Sequence, residues 1–277
     1  MDYMGQERQS TAFNICAENL IVIHIYGFKE GACVAQVRQI SNALDVLEFY
    51  AQVGRPAGLK ELSEHFGWPR SSTFNVIDTL VERGFLYEPR TRAGFYPTPR
   101  WLSLSQEIST AEPLPDEVFE LVRTVSEQMG ETTWVAAPSG QNAIMLSVAN
   151  SPQPIRYVAE PGKRVPIHAT ATGHALMSLM SPQQRESLLK RAMFVKYGSG
   201  TPLNAAEVEN RITEGVERGW FVSASNFSPD LGGISMALPV FGRHLAFTVA
   251  GPMFRFEGNA LRIAEAMRVA IDKIIPK

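Results

Sequence analysis

The sequence predicts an α+β chain in two parts. Three observations predict it. Between Val37 and Pro99, three short helical patterns precede two aromatic-rich strand patterns around a glycine-containing turn. "TAEPLPDE" (110–117) then interrupts the pattern with proline and acid. Beyond it, strands come in groups with helices at the ends, as in a sheet covered by helices. The 277 residues are enough for two domains.

The elements follow in order. Residues 1–36 stand apart as an N-terminal extension to which no role is assigned; "LIVIHIY" within it reads as a strand. "VRQISNALDVLEFYAQVG" (37–54) sets Ile40, Ala43, Leu44, Leu47 and Ala51 at helical spacing, and Gly54 closes the helix. "GLKELSEHFGW" is a second short helix with Leu59, Leu62 and Phe66 facing one way, broken at Gly67. "WPRSSTFNVIDTLVERGFL" (68–86) is the third. Pro69 suits a first helical position, where its missing N–H costs nothing, and Gly84 stops the helix. Phe74, Ile77, Leu80 and Val81 are expected to form its buried face. Two short strands then flank the turn "RTRAG". Three helices and a hairpin make a winged helix-turn-helix over 37–99. Residues 100–115, opening with "RWLSLSQEIS", read as a linking helix, and 116–277 as the second domain. There Glu117–Met129 is an amphipathic helix. "TTWVAAP", "AIMLSVAN" and "PIRYVAE" are expected strands. Helices follow over "TGHALMSLM", "PQQRESLLKRAM" and "NAAEVENRITEGVERG". "WFVSASN", "GGISMALPVF" and "HLAFTVAGP" are further strands, and "GNALRIAEAMRVAIDKII" is the closing helix.

Composition excludes several classes. Net charge is −2, so a bulk electrostatic footprint for nucleic acid is absent and any such charge must be local. It is local: from Arg83 to Arg100 there are four arginines against Glu88 alone, a net of +3. Both cysteines, Cys16 and Cys33, lie near the N-terminus, which argues against a disulfide framework or thiolate metal site and fits a reducing cytoplasm. No secretory signal is evident, and "NLIVIHIYGF" is too short to span a bilayer, so no membrane partner is expected. Nucleophile-elbow, phosphate-loop and dinucleotide fingerprints are missing. The histidines His24, His65, His168, His174 and His244 are scattered. An enzyme, a metal and a cofactor are therefore not expected.

The third helix carries the chemistry. A helix-turn-helix sets the front of its second helix against base edges in the major groove of double-stranded DNA. Arg70 suits guanine or a phosphate, and Asn75 suits adenine in bidentate fashion. Ser71, Ser72 and Thr73 are short groups for phosphate or base contacts. Arg90 and Arg92, at the hairpin tip, are placed to hold the backbone, which positions without specifying.

The stretch from Ile40 to Thr98 resembles the DNA-binding domain of IclR-family transcriptional regulators. "VPIHATATGHALMS", "ERGWFVSASNFSPDLGGISMALPVF" and "LAFTVAGP" resemble the family's second domain, in matching order. The resemblance implies a winged helix joined by a helix to a GAF-like effector-binding domain. It also implies homodimers or dimers of dimers that regulate metabolic genes from a DNA operator, in response to a small organic acid. The alternative is a sensor or scaffold of the same fold without specific DNA binding.

In "GKRVPIHATATGHALM" (162–177) a helix begins near Ala171–Gly173. Free N–H groups and the positive end of its dipole make an anion site suited to a small carboxylate. The resemblance points to Val165, Ala171 and Thr172 here, to Ser223, to Gly233 and Ser235, and to Thr248 and Ala250. Trp134 and Met145 are candidates for an apolar share of the pocket. His168 is a candidate contact, its other reading being a histidine bonded within its own loop. Ser223 and Ala250 stand where the family often carries polar or acidic groups, which favours an aromatic or otherwise apolar acid over a small keto acid.

Overall fold

The structure, a computed structural model, describes residues 37–90, 94–111 and 113–275. The strand expected within 1–36 and the role of Arg92 lie outside the described residues. Among those described, one compact unit runs to Pro113 and a second begins at Leu114.

The first unit opens with α1 (Arg38–Val53), α2 (Leu59–Phe66) and α3 (Arg70–Glu82). Left-handed glycines stop the first two, Gly54 and Gly67. The wing strands are short: β1 (Leu86–Tyr87) pairs antiparallel with β2 (Tyr96–Pro97). A bridge from Ala57 to Phe95 ties the wing back to the α1–α2 turn. Gly94 has φ +90°, and a Cβ there would stand 2.5 Å from the Ala57 carbonyl carbon, so only glycine allows this approach. Val46, Phe49, Tyr50, Leu62, Ile77, Leu80 and Leu86 form the core. The helix α4 (Arg100–Ala111) starts on this unit: Trp101 Nε1 donates to the Phe85 carbonyl at 2.9 Å, and the two rings lie 4.3 Å apart.

Two expected faces are corrected. In α1 the buried side is Asn42, Val46, Phe49 and Tyr50. Ile40 and Leu44, which the helical spacing placed in one apolar stripe with Ala43, Leu47 and Ala51, are 61% and 55% exposed. The helix carries apolar residues on two sides, and the larger rings decide which side packs inward. In α3 the buried set is Thr73, Ile77 and Leu80, while Phe74 is 52% exposed. Thr73 Oγ1 donates to the Pro69 carbonyl at 3.1 Å, so its hydroxyl enters the core already satisfied.

The second unit contains α5 (Asp116–Met129), β3 (Thr132–Ser139), β4 (Asn142–Ala149), β5 (Arg164–Pro166), α6 (Ala171–Ser178), α7 (Pro182–Lys190) and α8 (Ala205–Arg218). It continues with β6 (Phe221–Ala224), β7 (Leu231–Val240), β8 (Arg243–Pro252), α9 (Met253–Phe256) and α10 (Ala260–Ile274). The six strands form one antiparallel sheet in the order β5-β4-β3-β8-β7-β6. Strand alternation sorts side chains to two faces. Leu245, Phe247 and Val249 of β8 join Ile234, Met236 and Leu238 of β7 in a core with α5 and α10. Trp134, Ala136, Ala246 and Ala250 face the other way, into a core with α6 and α8.

The strand expected over "PIRYVAE" is not formed. Residues 150–163 make an irregular strap, and the edge strand is β5 instead. Ile155 and Val158 are exposed, so the strap's apolar residues do not alternate into a core. Backbone groups of the strap are held by side chains: Asn150 exchanges two hydrogen bonds with Ala159, and Thr132 Oγ1 donates to the Tyr157 carbonyl. Arg255 bonds the buried Glu131 carboxylate and donates to the Ile155 carbonyl at 2.8 Å. No helix among the described residues is long and apolar enough to cross a membrane.

Candidate functional site

The first site is the outward face of α3. Pro69 is the N-cap, and Arg70, Ser71, Ser72 and Asn75 are exposed on the first turns. Thr73 is fully buried and leaves this set, since a hydroxyl bonded inside the core cannot reach a base edge. Ser72, Asn75 and Thr79 line an open groove with Arg38, Gln39 and Asn42 of α1. Pattern reading missed Arg38 and Gln39, because they precede the apolar positions that define the helix. Arg90 is exposed at the wing.

The second site is a half-open pocket on the α6 face of the sheet. Register builds its wall from two cross-strand rows. In one, Ser223 stands opposite Gly233, and Gly233 opposite Ala250. In the other, Ser235 stands opposite Thr248, and Thr248 opposite Trp134. Over these rows comes the start of α6. Its N-cap Thr170 accepts from Gly173 N at 3.0 Å and donates to the Pro166 carbonyl at 3.0 Å. The N–H groups of Ala171 and Thr172 are first-turn groups with no carbonyl one turn back. Gly173 lets the preceding loop approach: a Cβ there would lie 1.8 Å from the Ile167 carbonyl oxygen.

Of the residues expected here, Trp134, Val165, Ala171, Thr172, Ser223, Gly233, Thr248 and Ala250 line the cavity. Three do not. Met145 is buried in the core beside it. Ser235 stands beside Thr248 in the sheet, outside the lining, and hydrogen-bonds to it. Its Oγ is 3.2 Å from the Phe247 carbonyl and 2.9 Å from Thr248 Oγ1, which is 2.9 Å from Thr172 Oγ1. A hydroxyl has one proton to give. With Ser235 donating to the carbonyl, Thr248 donates to Ser235 and Thr172 to Thr248. The chain runs inward and leaves lone pairs on the cavity side.

His168 is the third. It is buried, packs edge-on against Phe194 with centroids 5.2 Å apart, and its Nε2 meets no partner. Burial lowers its pKa. His168 acts through its backbone, whose carbonyl accepts from Nε2 of the buried His174 at 2.8 Å. Burial pushes His174 down to about 4, so that ring is neutral.

The cavity also takes Tyr157, Phe227, Leu231 and Gly232, which the sequence reading missed. Tyr157 sits on the strap that was read as a strand, and Phe227 on the β6–β7 turn; neither position has a local signal. Trp134 Nε1 is buried without a hydrogen-bond partner. Among the described residues, the wall carries no charged side chain, and no cluster of His, Cys, Asp or Glu is placed to hold a metal.

A recognition helix with its polar front exposed, on a chain whose other unit carries a pocket lined by the sheet and the start of α6, defines a ligand-responsive DNA-binding regulator. The chain belongs to the IclR family: the model for "IclR helix-turn-helix domain" matches residues 39–90, and that for "Bacterial transcriptional regulator IclR C-terminal" matches 113–275. The acetate operon repressor of Salmonella typhimurium is 24% identical over 244 residues, 86% of this chain and 88% of that protein. The transcriptional repressor IclR of Escherichia coli K12 is 23% identical over 244 residues, with the same two shares, 86% and 88%. Among solved structures, an IclR homologue from Microbacterium hydrocarbonoxydans complexed with 4-hydroxybenzoate superposes with a TM-score of 0.66 at 19% identity. That match covers 85% of this chain and 98% of the other.

Proposed function

We propose that the chain regulates genes of aromatic or organic acid metabolism, binding a roughly palindromic operator as a homodimer or dimer of dimers. Its effector is an aromatic or otherwise apolar carboxylic acid. It acts by binding, without turnover, in the cytoplasm where its DNA lies. The observation that carries the effector class is the cavity wall. Trp134, Tyr157 and Phe227 supply aromatic surface, and Ser223, Gly233 and Ala250 form a row with no acid in it. An anionic end is accommodated by the N–H groups and dipole at the start of α6. The lone pairs of Thr172 and Thr248 suit a hydroxyl on the guest. The solved relative that holds 4-hydroxybenzoate supports the same class.

On the DNA side, Arg70, Ser71, Ser72 and Asn75 read the groove, while Arg90 and Arg92 hold phosphates. Dimerisation is supported by exposed apolar side chains of the first unit: Ile40 and Leu44 on α1 with the N-cap Val37, and Leu104 and Ile108 one turn apart on α4. Effector control requires that the ligand bind the DNA-competent and DNA-free arrangements with different affinity, since equal affinity shifts nothing.

Fluorescence anisotropy on the protein's own upstream intergenic DNA, at two salt concentrations and against a random duplex, tests the regulator reading. Selective, salt-dependent binding is expected; equal binding to both duplexes would move the weight to a sensor without specific DNA binding. Melting-temperature shifts across an acid panel test the effector class. Stabilisation by pyruvate-like acids alone would overturn it.

A further inference from the structure

Phe74 is the large apolar side chain of α3 that the fold does not use. Ile77 and Leu80 are buried, and Val76 and Val81 pack partly against the same core. Phe74 is 52% exposed, and the core closes without it. The other exposed large apolar residues of this unit lie on α1 and α4, with Tyr87 on the wing. Among the described residues, Phe74 is therefore a lone exposed phenyl ring on a polar stretch of α3. Arg70 lies one turn before it, Asp78 one turn after it, and Ser71 and Asn75 flank it. It is the fifth residue of a helix whose N-terminal half faces base edges in this fold.

The chemistry of that face restricts what a phenyl ring can meet. Phosphate oxygens and the edges of guanine and adenine present polar groups. Thymine alone among the four bases presents an apolar group in the major groove, its C5 methyl. We infer that Phe74 is a specificity-determining residue that reads a thymine methyl at one position of each half-site. Ring and methyl leave water together there, a gain no other base offers. The inference rests on the reading of α3 as the recognition helix.

The test uses the full chain. Selection from a random duplex library gives a consensus. Each thymine of the selected duplex is then replaced in turn by deoxyuridine, which lacks only the methyl. Anisotropy titrations compare wild type, Phe74→Ala and Phe74→Leu. At one thymine per half-site, deoxyuridine should weaken wild type by about three- to five-fold, the size expected for one buried methyl. The same replacement should leave Phe74→Ala unchanged, with Phe74→Leu between the two. Random-duplex binding should be equal in all three proteins. Wild type indifferent to deoxyuridine everywhere, or Phe74→Ala losing the same factor as wild type, would overturn the inference while leaving the recognition helix in place. A selection that enriches no sequence overturns the recognition-helix reading and this inference with it.

Discussion

His174 ties the effector domain to pH through one buried ring. Its Nε2 donates to the His168 carbonyl, and burial, reinforced by the charge of Arg211, holds its pKa near 4. In the unfolded chain it titrates near 6.5. Between those values the unfolded state binds the proton and the folded state does not, so stability is full above pH 6.5 and falls as pH drops towards 4. The loss is on the order of 3 kcal/mol. His168, lowered in the same direction, adds to it. Urea unfolding at pH 7 and pH 4.5 should show this loss, and His174→Gln should reduce it; an undiminished loss in the variant would contradict the assignment. On α3, Asn75→Ala should relax base choice at one position at a cost of about 1–3 kcal/mol. Arg90→Ala should weaken all duplexes and flatten the salt slope by about one unit. Competition titrations at several salt concentrations separate the two. Thr73 and Phe74 show where residue-level reading stops. Periodicity ranks side chains by hydrophobicity and so puts Phe74 inside. A threonine whose hydroxyl bonds one turn back is a good core residue, but that bond belongs to the folded helix and leaves no mark on the pattern.

At the level of elements, among the described residues, every helix but the short α9 and seven of the eight strands were legible. Their periods are strong, and glycines at Gly54, Gly67, Gly130 and Gly219 punctuate them with left-handed caps. The cavity rows were legible as far as the family resemblance reached. The strap over 150–163 was not: its order comes from Asn150, Thr132 and Arg255, and the last two are distant in sequence from the carbonyls they hold. Two substitutions probe the elements that build the cavity. Gly173→Ala forces α6 off the Ile167 carbonyl, which is backbone and cannot swing aside. It should cost about 1–3 kcal/mol in thermal unfolding. Ala250→Asp places a carboxylate opposite Gly233 in a wall otherwise free of charge. It should lower affinity for aromatic monocarboxylates tenfold or more by calorimetry, and unchanged affinity would remove that row from the binding site.

At the scale of the molecule, α1 is the element with an apolar side that the described residues of its own chain leave exposed. One side is core, and the other carries Ile40 and Leu44, with the N-cap Val37, to the surface. Sequence reading found one stripe, Ile40, Ala43, Leu44, Leu47 and Ala51, and one helix cannot reveal which of two apolar sides its own fold will cover. Charging the exposed side with Ile40→Glu and Leu44→Glu should convert a dimer into a monomer in sedimentation velocity and abolish tight operator binding. A dimer that survives both changes would place the interface elsewhere. The sheet of the second unit has a consequence of another kind. Along β8, Leu245, Phe247 and Val249 belong to one core, and Ala246, Thr248 and Ala250 to the cavity side. Sliding the strand by one residue would exchange the two sets. Descendants of this chain are therefore free to change what they sense by single replacements at every second position, but not by gaining or losing a residue within the strand. Their sensory diversity should accumulate against a strand of constant length.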